Sequence, residues 1–272
     1  MRTFFLATAI ALTTIGAQAT AAERDNPLVD GATWTELHED VIDSDVTLQD
    51  GSGLFSVGAP YRAHDAATVP LVIAQTDLNA SPITSAIIVV DENPAPVAAE
   101  MTFGQSMTPL QFELRVRVNQ YSNIRVIAQN EDGAFMNGRF VKASGGCSAP
   151  ASKDPQAALS SMGQMRLKHF DEPLAMTRQR RDAQIMIRHP NYSGLQRDQI
   201  TQLFIGAHFI DYLEVFQGDE LLFKLEGGIS VSENPVFRFS YSDNGATDLR
   251  IRAEDTEGNI FEQTLPKTNV SL

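Results

Sequence analysis

A strict alternation through residues 112–119 limits what this chain can become. Phe112, Leu114, Val116 and Val118 are apolar, and Glu113, Arg115, Arg117 and Asn119 between them are polar. A period of two sends one set to each side of extended backbone, so the stretch predicts a half-buried strand. The signature returns further on. Phe237, Phe239 and Tyr241 alternate with Arg238 and Ser240, and Leu249, Ile251 and Ala253 alternate with Arg250, Arg252 and Glu254. Leu71-Val72-Ile73 and Ile87–Val90 are short apolar runs bounded by Pro, Asn and Asp. Hairpin turns are predicted at QNEDG (between Ile124–Ala128 and Ala134–Val141), at Gln217-Gly218-Asp219 and at Glu257-Gly258-Asn259.

Helical signals are few. Thr33 and Glu36 have capping-box spacing, with Trp34, Leu37 and Val41 on one face behind them. Asp154-Pro155 reads as an N-cap followed by proline at the first helical position, with Gly163 as the stop, which predicts a short helix over 155–162. The strand-rich parts echo each other: IRVIAQNEDGAF at 124–135 aligns without gaps to LRIRAEDTEGNI at 249–260. Roughly 250 residues beyond a leader are enough for two domains. The expected fold is all-β: two immunoglobulin-like antiparallel β-sandwich domains, with short helices at the N-terminus and in the linker.

The opening MRTFFLATAIALTTIGAQATAAERD has one basic residue, Arg2, then an apolar run from Phe4 to Ile15 and the small residues Ala17-Gln18-Ala19. That is the layout of a secretory signal peptide, with cleavage expected near residues 19–21 and export to the periplasm. A net charge of −13 repels nucleic acid and anionic lipid, so neither is expected as a partner.

An exported chain with a single cysteine, Cys147, has no intramolecular disulfide to make. A buried cysteine acting as a small apolar residue is the bland reading. Gly145, Gly146, Ser148 and Ala149 offer almost no surface to bury it, and Pro150 denies it a central strand. The context therefore predicts an exposed thiol at the crest of a mobile loop, Ala143–Lys153. Lys142 and Lys153 are the nearest cations in sequence, each several residues away, so no activation of the thiol is expected. Three function classes follow: a carrier that bonds cargo to Cys147, a thiol enzyme, or an accessory binding protein in which the thiol is incidental. A free exported thiol also makes a disulfide-linked homodimer a resting form to test for.

Other constellations are weaker. His189 and His208 invite a metal reading, but without HExxH or a second cysteine they are assigned to structure or loop positioning, and no metal site is expected. Arg178, Arg180 and Arg181 form a basic cluster read as a solvated loop opposite Asp171-Glu172. No phosphate-binding glycine loop and no G-x-S-x-G is present.

The order of several motifs carries a resemblance. SAIIVVDENPAPVAAEMTFG, a clean strand and then GGC resemble the cysteine-bearing subunit of the SoxYZ sulfur-compound carriers. IRHPNYSGLQRD, AHFIDYLEVFQGDELLF and VSENPVFRFSYSD are similar, in order and spacing, to its partner subunit. The chain is thus similar to single-polypeptide fusions of the two, with a leader over 1–21, a SoxY-like region over 22–147, a linker over 148–162 and a SoxZ-like region over 163–272. The resemblance implies a periplasmic carrier with no turnover of its own. Cys147 would be the covalent attachment point and Gly145, Gly146 and Ser148 the arm. No cofactor is implied beyond a sulfur adduct. Implied partners are periplasmic redox enzymes and hydrolases of the sulfur-oxidation kind, or a pyrroloquinoline-quinone alcohol dehydrogenase with its cytochrome c. The family's carrier subunit ends in a free GGCGG tail; here Ser148-Ala149-Pro150 and a second domain follow the cysteine.

Overall fold

Strands with one apolar face need a second layer to cover that face. The computed structural model, which describes residues 25–42, 45–150, 155–170 and 180–267, supplies it with two stacked sheets. The leader expected at 1–21 lies outside the described residues, as do Lys153, Asp154, Asp171, Glu172 and Arg178.

The first half contributes β1 (Leu48–Asp50), β2 (Phe55–Gly58), β3 (Val69–Gln75), β4 (Ser85–Val90), β5 (Val97–Phe103), β6 (Gln111–Val116), β7 (Ser122–Asn130) and β8 (Gly133–Val141). The second contributes β9 (Met165–Phe170), β10 (Arg180–Ile187), β11 (Ile210–Gln217), β12 (Glu220–Gly227), β13 (Val236–Ser242), β14 (Asp248–Asp255) and β15 (Ile260–Pro266). One sheet runs β1-β8-β7-β4-β5-β12-β11-β14-β15 and the other β2-β3-β6-β13-β10-β9.

Read outward from the centre, the order occurs twice. β5, β4, β7, β8 on one side match β12, β11, β14, β15 on the other, and β6, β3, β2 match β13, β10, β9. Each half is an antiparallel sandwich of one topology, and the two echoing hairpins, β7–β8 and β14–β15, occupy equivalent places. β1 is an addition, paired parallel to β8.

The halves are not separate beads. β5 pairs antiparallel with β12, from Ala99↔Gly227 to Phe103↔Phe223, and β6 pairs with β13 at Glu113↔Arg238 and Phe112↔Phe239. Both sheets therefore cross the boundary, and one apolar core fills both halves. At the seam the rings of Phe112 and Phe223 meet edge-on at 5.0 Å, and Phe223 meets Phe239 at 5.1 Å. Phe103 and Phe237 pack against Phe112 at 5.7 and 6.3 Å. Sequence periodicity names the inward faces of single strands; which strand edges meet is a tertiary matter.

Helix α1 (Ala32–Val41) forms where expected but without the capping box, since Gly31 is its N-cap and no side chain caps it. Thr33 instead donates to Glu92 at 2.6 Å, and the Arg125 guanidinium lies 4.5 Å from the Trp34 ring, so polar contacts seat a helix that buries none of its residues. Helix α2 spans Pro155–Ser160, shorter than expected. The chain then turns at Gly163, whose φ of +80° favours glycine and whose N–H donates to Arg188 O. The reading of Arg180 and Arg181 as a solvated loop is corrected: both lie on β10. Arg180 donates to the carbonyls of Thr108 and Pro109 across the seam, and Arg181 pairs with Asp243.

Two outcomes follow. Phe112→Ala, which empties the centre of the aromatic cluster, should destabilise the whole chain by about 3–5 kcal/mol in chemical unfolding, in one transition because the core is shared. A chain cut by an inserted protease site between Pro150 and Pro155 should remain a single species by size exclusion and native mass spectrometry, because both inter-half pairings lie outside the cut.

Candidate functional site

The segment leaving β8 is held from its first residue: Lys142 N–H donates to Tyr61 O at 2.8 Å and Ala63 N–H to Lys142 O at 3.2 Å. Gly145 N–H then donates to Asn119 O at 2.8 Å and Gly146 N–H to Val118 O at 3.0 Å. Gly145 has φ +79°, and a Cβ on Gly146 would stand 2.1 Å from Ala66 O and 2.7 Å from Val118 O. Only glycine permits that backbone approach.

Cys147 comes next, and it is 0% exposed. The second half closes over it with IRHPNYSGLQRD, the loop after β10. Ser193 Oγ donates to Cys147 O, and Gln196 Nε2 donates to Ala149 O at 3.0 Å. Gln196 Oε1 in turn accepts from Ser193 N–H at 3.1 Å, which keeps the two clamp residues in register. Ser148 is exposed, with its hydroxyl 3.4 Å from Gly145 O.

The expectation of an exposed thiol on a loop that cannot pack is corrected over 143–147. Small residues present little side-chain surface, but they let the backbone itself dock, and the walls come from both halves. Gly145 and Gly146 serve that close approach in the resting chain.

Arg117 is the second correction. Continued alternation would put it on the polar side of a strand, but β6 ends at Val116 and the chain there crosses the seam. Arg117 N–H donates to Ser230 O at 2.7 Å, and its side chain is 1% exposed. Nη1 donates to Ile229 O at 3.1 Å and Val231 O at 2.6 Å, while the buried Nε–H has no partner. Asn93, from the DENPAP turn, donates to Arg117 O at 2.7 Å and to Ser230 Oγ at 2.8 Å, and accepts from Asn119 N–H at 2.8 Å. The floor of the site is thus tied across the halves.

Burial pushes the Cys147 thiol above its ordinary range, and the nearby Arg117 charge offsets only part of that rise. A thiol held protonated at neutral pH is a poor nucleophile, which argues against the thiol-enzyme class.

His189 and His208, distant in sequence, meet at Asp255, which the sequence reading did not single out. Their Nε2 atoms lie 3.3 and 2.8 Å from Asp255 Oδ2, and the rings stand edge-on with centroids 4.8 Å apart. One ligand atom from each of the three lies within 4.8 Å of the others, a set able to hold a divalent ion. Asn259 also donates to Asp255 through its backbone and side-chain N–H groups, both at 2.9 Å. The network pins the clamp loop at its base: His189 Nδ1 sits 2.7 Å from Asn191 Oδ1, which also accepts from Ile210 N–H at 3.1 Å. Burial lowers the His189 pKa. Burial pushes the Asp255 carboxyl up, but the bonds from Asn259, His208 and His189 outweigh it and hold the group at about 2.

Beside the cysteine segment, Ser148, Pro150, Leu195, Arg197, Asp198, Gln199 and Gln202 line an open groove. Past it the clamp loop continues into exposed apolar side chains, with Ile200 92%, Leu203 69% and Phe204 62% exposed.

The clamp predicts slow thiol labelling that rises with pH from above the ordinary thiol range. Gln196→Ala or Ser193→Ala removes one hydrogen bond to the cysteine segment, worth about 1 kcal/mol, and should speed labelling about fivefold, read as release of thionitrobenzoate. The buried network predicts acid sensitivity. Both groups have folded pKa values below their unfolded ones, so their contribution is present at neutral pH and is lost on acidification. Loss begins as pH falls below the ordinary histidine value of 6.5, and a second loss runs between 3.8 and about 2 as Asp255 takes a proton. Urea midpoints measured from pH 7 to 2 should show both arms, and Asp255→Asn should flatten the lower one.

Comparison with known proteins adds the family. The model described as "Sulfur oxidation protein SoxY" matches residues 40–147, ending on the cysteine, and that described as "Sulphur oxidation protein SoxZ" matches residues 173–266. A solved structure, the sulfur carrier protein SoxY from Chlorobium limicola f thiosulfatophilum, aligns at 22% identity and a TM-score of 0.34, covering 41% of this chain and 97% of that one. No curated protein matches. With the two family models in tandem spanning most of its length, the chain belongs to the SoxYZ sulfur-carrier family, as a single-chain fusion of SoxY and SoxZ.

Proposed function

We propose that this chain is a periplasmic carrier that holds a sulfur-containing group covalently on Cys147 and presents it to partner oxidoreductases and hydrolases. The observation that carries this reading is where the SoxY match ends. Its last residue is the one cysteine of the chain, docked at the seam by backbone contacts from the first half and a side-chain clamp from the second.

Two positions of the segment then define the cycle. Docked, the sulfur is sealed from water and from stray thiols. Undocked, it can enter a partner's site. The bonds from Ser193 and Gln196 and those of Gly145 and Gly146 contribute about 0.5–1.5 kcal/mol each, so release costs a few kcal/mol and proceeds without unfolding the sandwich. The segment is tethered on both sides, so an enzyme acting on the cargo must admit a loop of backbone rather than a tail. Such an enzyme would meet the clamp loop first, because Leu195 shares a groove with Ser148 and Pro150.

Loading by disulfide formation removes two protons and two electrons from Cys147–SH and the S–H of the incoming thiol-type group. A partner redox enzyme of the haem or quinone class must accept those electrons. The leader-like N-terminus supports export, and no helix among the described residues is long and apolar enough to cross a membrane.

Intact mass of protein isolated from its host during growth on reduced sulfur should show adducts that a phosphine reductant removes. Cys147→Ser should show none and should abolish the associated oxidation. An unmodified mass under those conditions, with a fully active serine variant, would instead favour a binding role in which the thiol is incidental.

A further inference from the structure

Arg117 presents an unbalanced account. Its guanidinium is 1% exposed, it forms no ion pair among the described residues, and its Nε–H is buried without a partner. Among the described residues, two backbone carbonyls, Ile229 O and Val231 O, are its only side-chain hydrogen-bond acceptors. Withdrawing a cation from water costs several kcal/mol unless a counter-charge is supplied, and an unmade bond at a buried donor adds to that. A methionine of similar length would fill the space without either penalty.

The location suggests what the charge is for. Arg117 directly precedes Val118 and Asn119, whose carbonyls hold Gly146 and Gly145. Arg117 and Cys147 feel each other electrostatically, each charged form stabilising the other. Glu233, half-buried, is an acidic influence on Arg117; burial pushes its carboxyl up and the Arg117 charge offsets part of that rise. The clamp residues Ser193 and Gln196 are neutral. The docked thiol therefore sits close to a buried guanidinium with an unused N–H donor, and a neutral thiol uses neither the charge nor the donor.

We propose that Arg117 is the binding group for an anionic, oxyanion-bearing end (sulfonate class) of the group carried on Cys147, so that the docked state selects a negatively charged adduct. The guanidinium offers planar, charge-assisted donors of the kind that oxyanions accept from. This rests on the assignment of Cys147 as the attachment point. It makes the loaded, docked state more stable than the empty one, and it makes loss of the anionic end the event that loosens docking.

The test uses the full chain and three methanethiosulfonate reagents of similar size, carrying hydroxyethyl (neutral), aminoethyl (cationic) and sulfonatoethyl (anionic) groups. In each, the Cys147 thiolate attacks the sulfenyl sulfur and displaces methanesulfinate, leaving Cys147–S–S–R. Mass spectrometry confirms one adduct per chain. In the unaltered protein, melting temperatures should fall in the order anionic, neutral, cationic, and phosphine should release the anionic adduct about tenfold more slowly than the neutral one, the effect of one charge-assisted bond. Arg117→Met should abolish the order, and Arg117→Lys, which keeps the charge but not the planar donors, should retain part of it.

Equal behaviour of the three adducts in the unaltered protein overturns the proposal, as does an order that survives Arg117→Met. Should Arg117→Met not fold, the charge series in the unaltered protein and in Arg117→Lys decides alone. The adducts are made chemically, so an anion preference found on a protein that never carries cargo in its host would refute the carrier role and leave the Arg117 site standing. The reverse pair of results would do the opposite.

Discussion

The two strand pairings across the seam, β5 with β12 and β6 with β13, are the constraint on which the rest depends. Either half alone would expose two unpaired strand edges and half of the Phe112–Phe223–Phe239 cluster. Paired, the halves form one core and continuous sheets, and the end of the β6–β13 seam becomes a place where segments from both can meet. The DENPAP turn, the Arg117–Asn119 stretch, the residues leading into β13 and the clamp loop all converge there. Without the seam, Cys147 would have a floor and no lid.

The proposed role sets opposed demands: the sulfur must reach another protein's active site and must be shielded in transit. On that reading, docking and release of the segment would separate the two in time. Gly145 and Gly146 allow backbone to lie against backbone with no side chain between, so docking rests on a few hydrogen bonds rather than on apolar burial of a large residue. A hold made of a few hydrogen bonds is a weak one, of the size that local opening within a native fold can overcome. Burial also raises the thiol pKa, which suppresses unwanted exchange.

The clamp loop is itself anchored from below. His189 and His208 converge on Asp255 at the end of β14, and Asn191 links the loop to the start of β11 and to Ser232. Each anchor is fully engaged with backbone or side-chain partners, so the loop holds a defined shape up to Ser193 and Gln196. Beyond them it runs into the exposed Ile200, Leu203 and Phe204. A rigid base and an apolar tip place the part that grips the cysteine next to the part that water covers least well.

The sequence by itself determined the strands, most of the turns, the existence of two like halves, and the singular standing of Cys147. Alternation, turn residues and a lone thiol are local properties, and local properties are written in consecutive residues. The motif order that marks the family was legible for the same reason. Only the tertiary structure decided that the sheets run through both halves, that the thiol is buried, and that Arg117, Ser193, Gln196 and Asp255 surround it or support what does. Arg117 looked like one more polar residue in an alternating strand, because the period says which side of the backbone a residue takes and nothing of what lies there. Cys147 looked exposed because its neighbours are small. The residues that cover it come from the other half of the chain, and burial is a property of what packs against a segment, not of the segment.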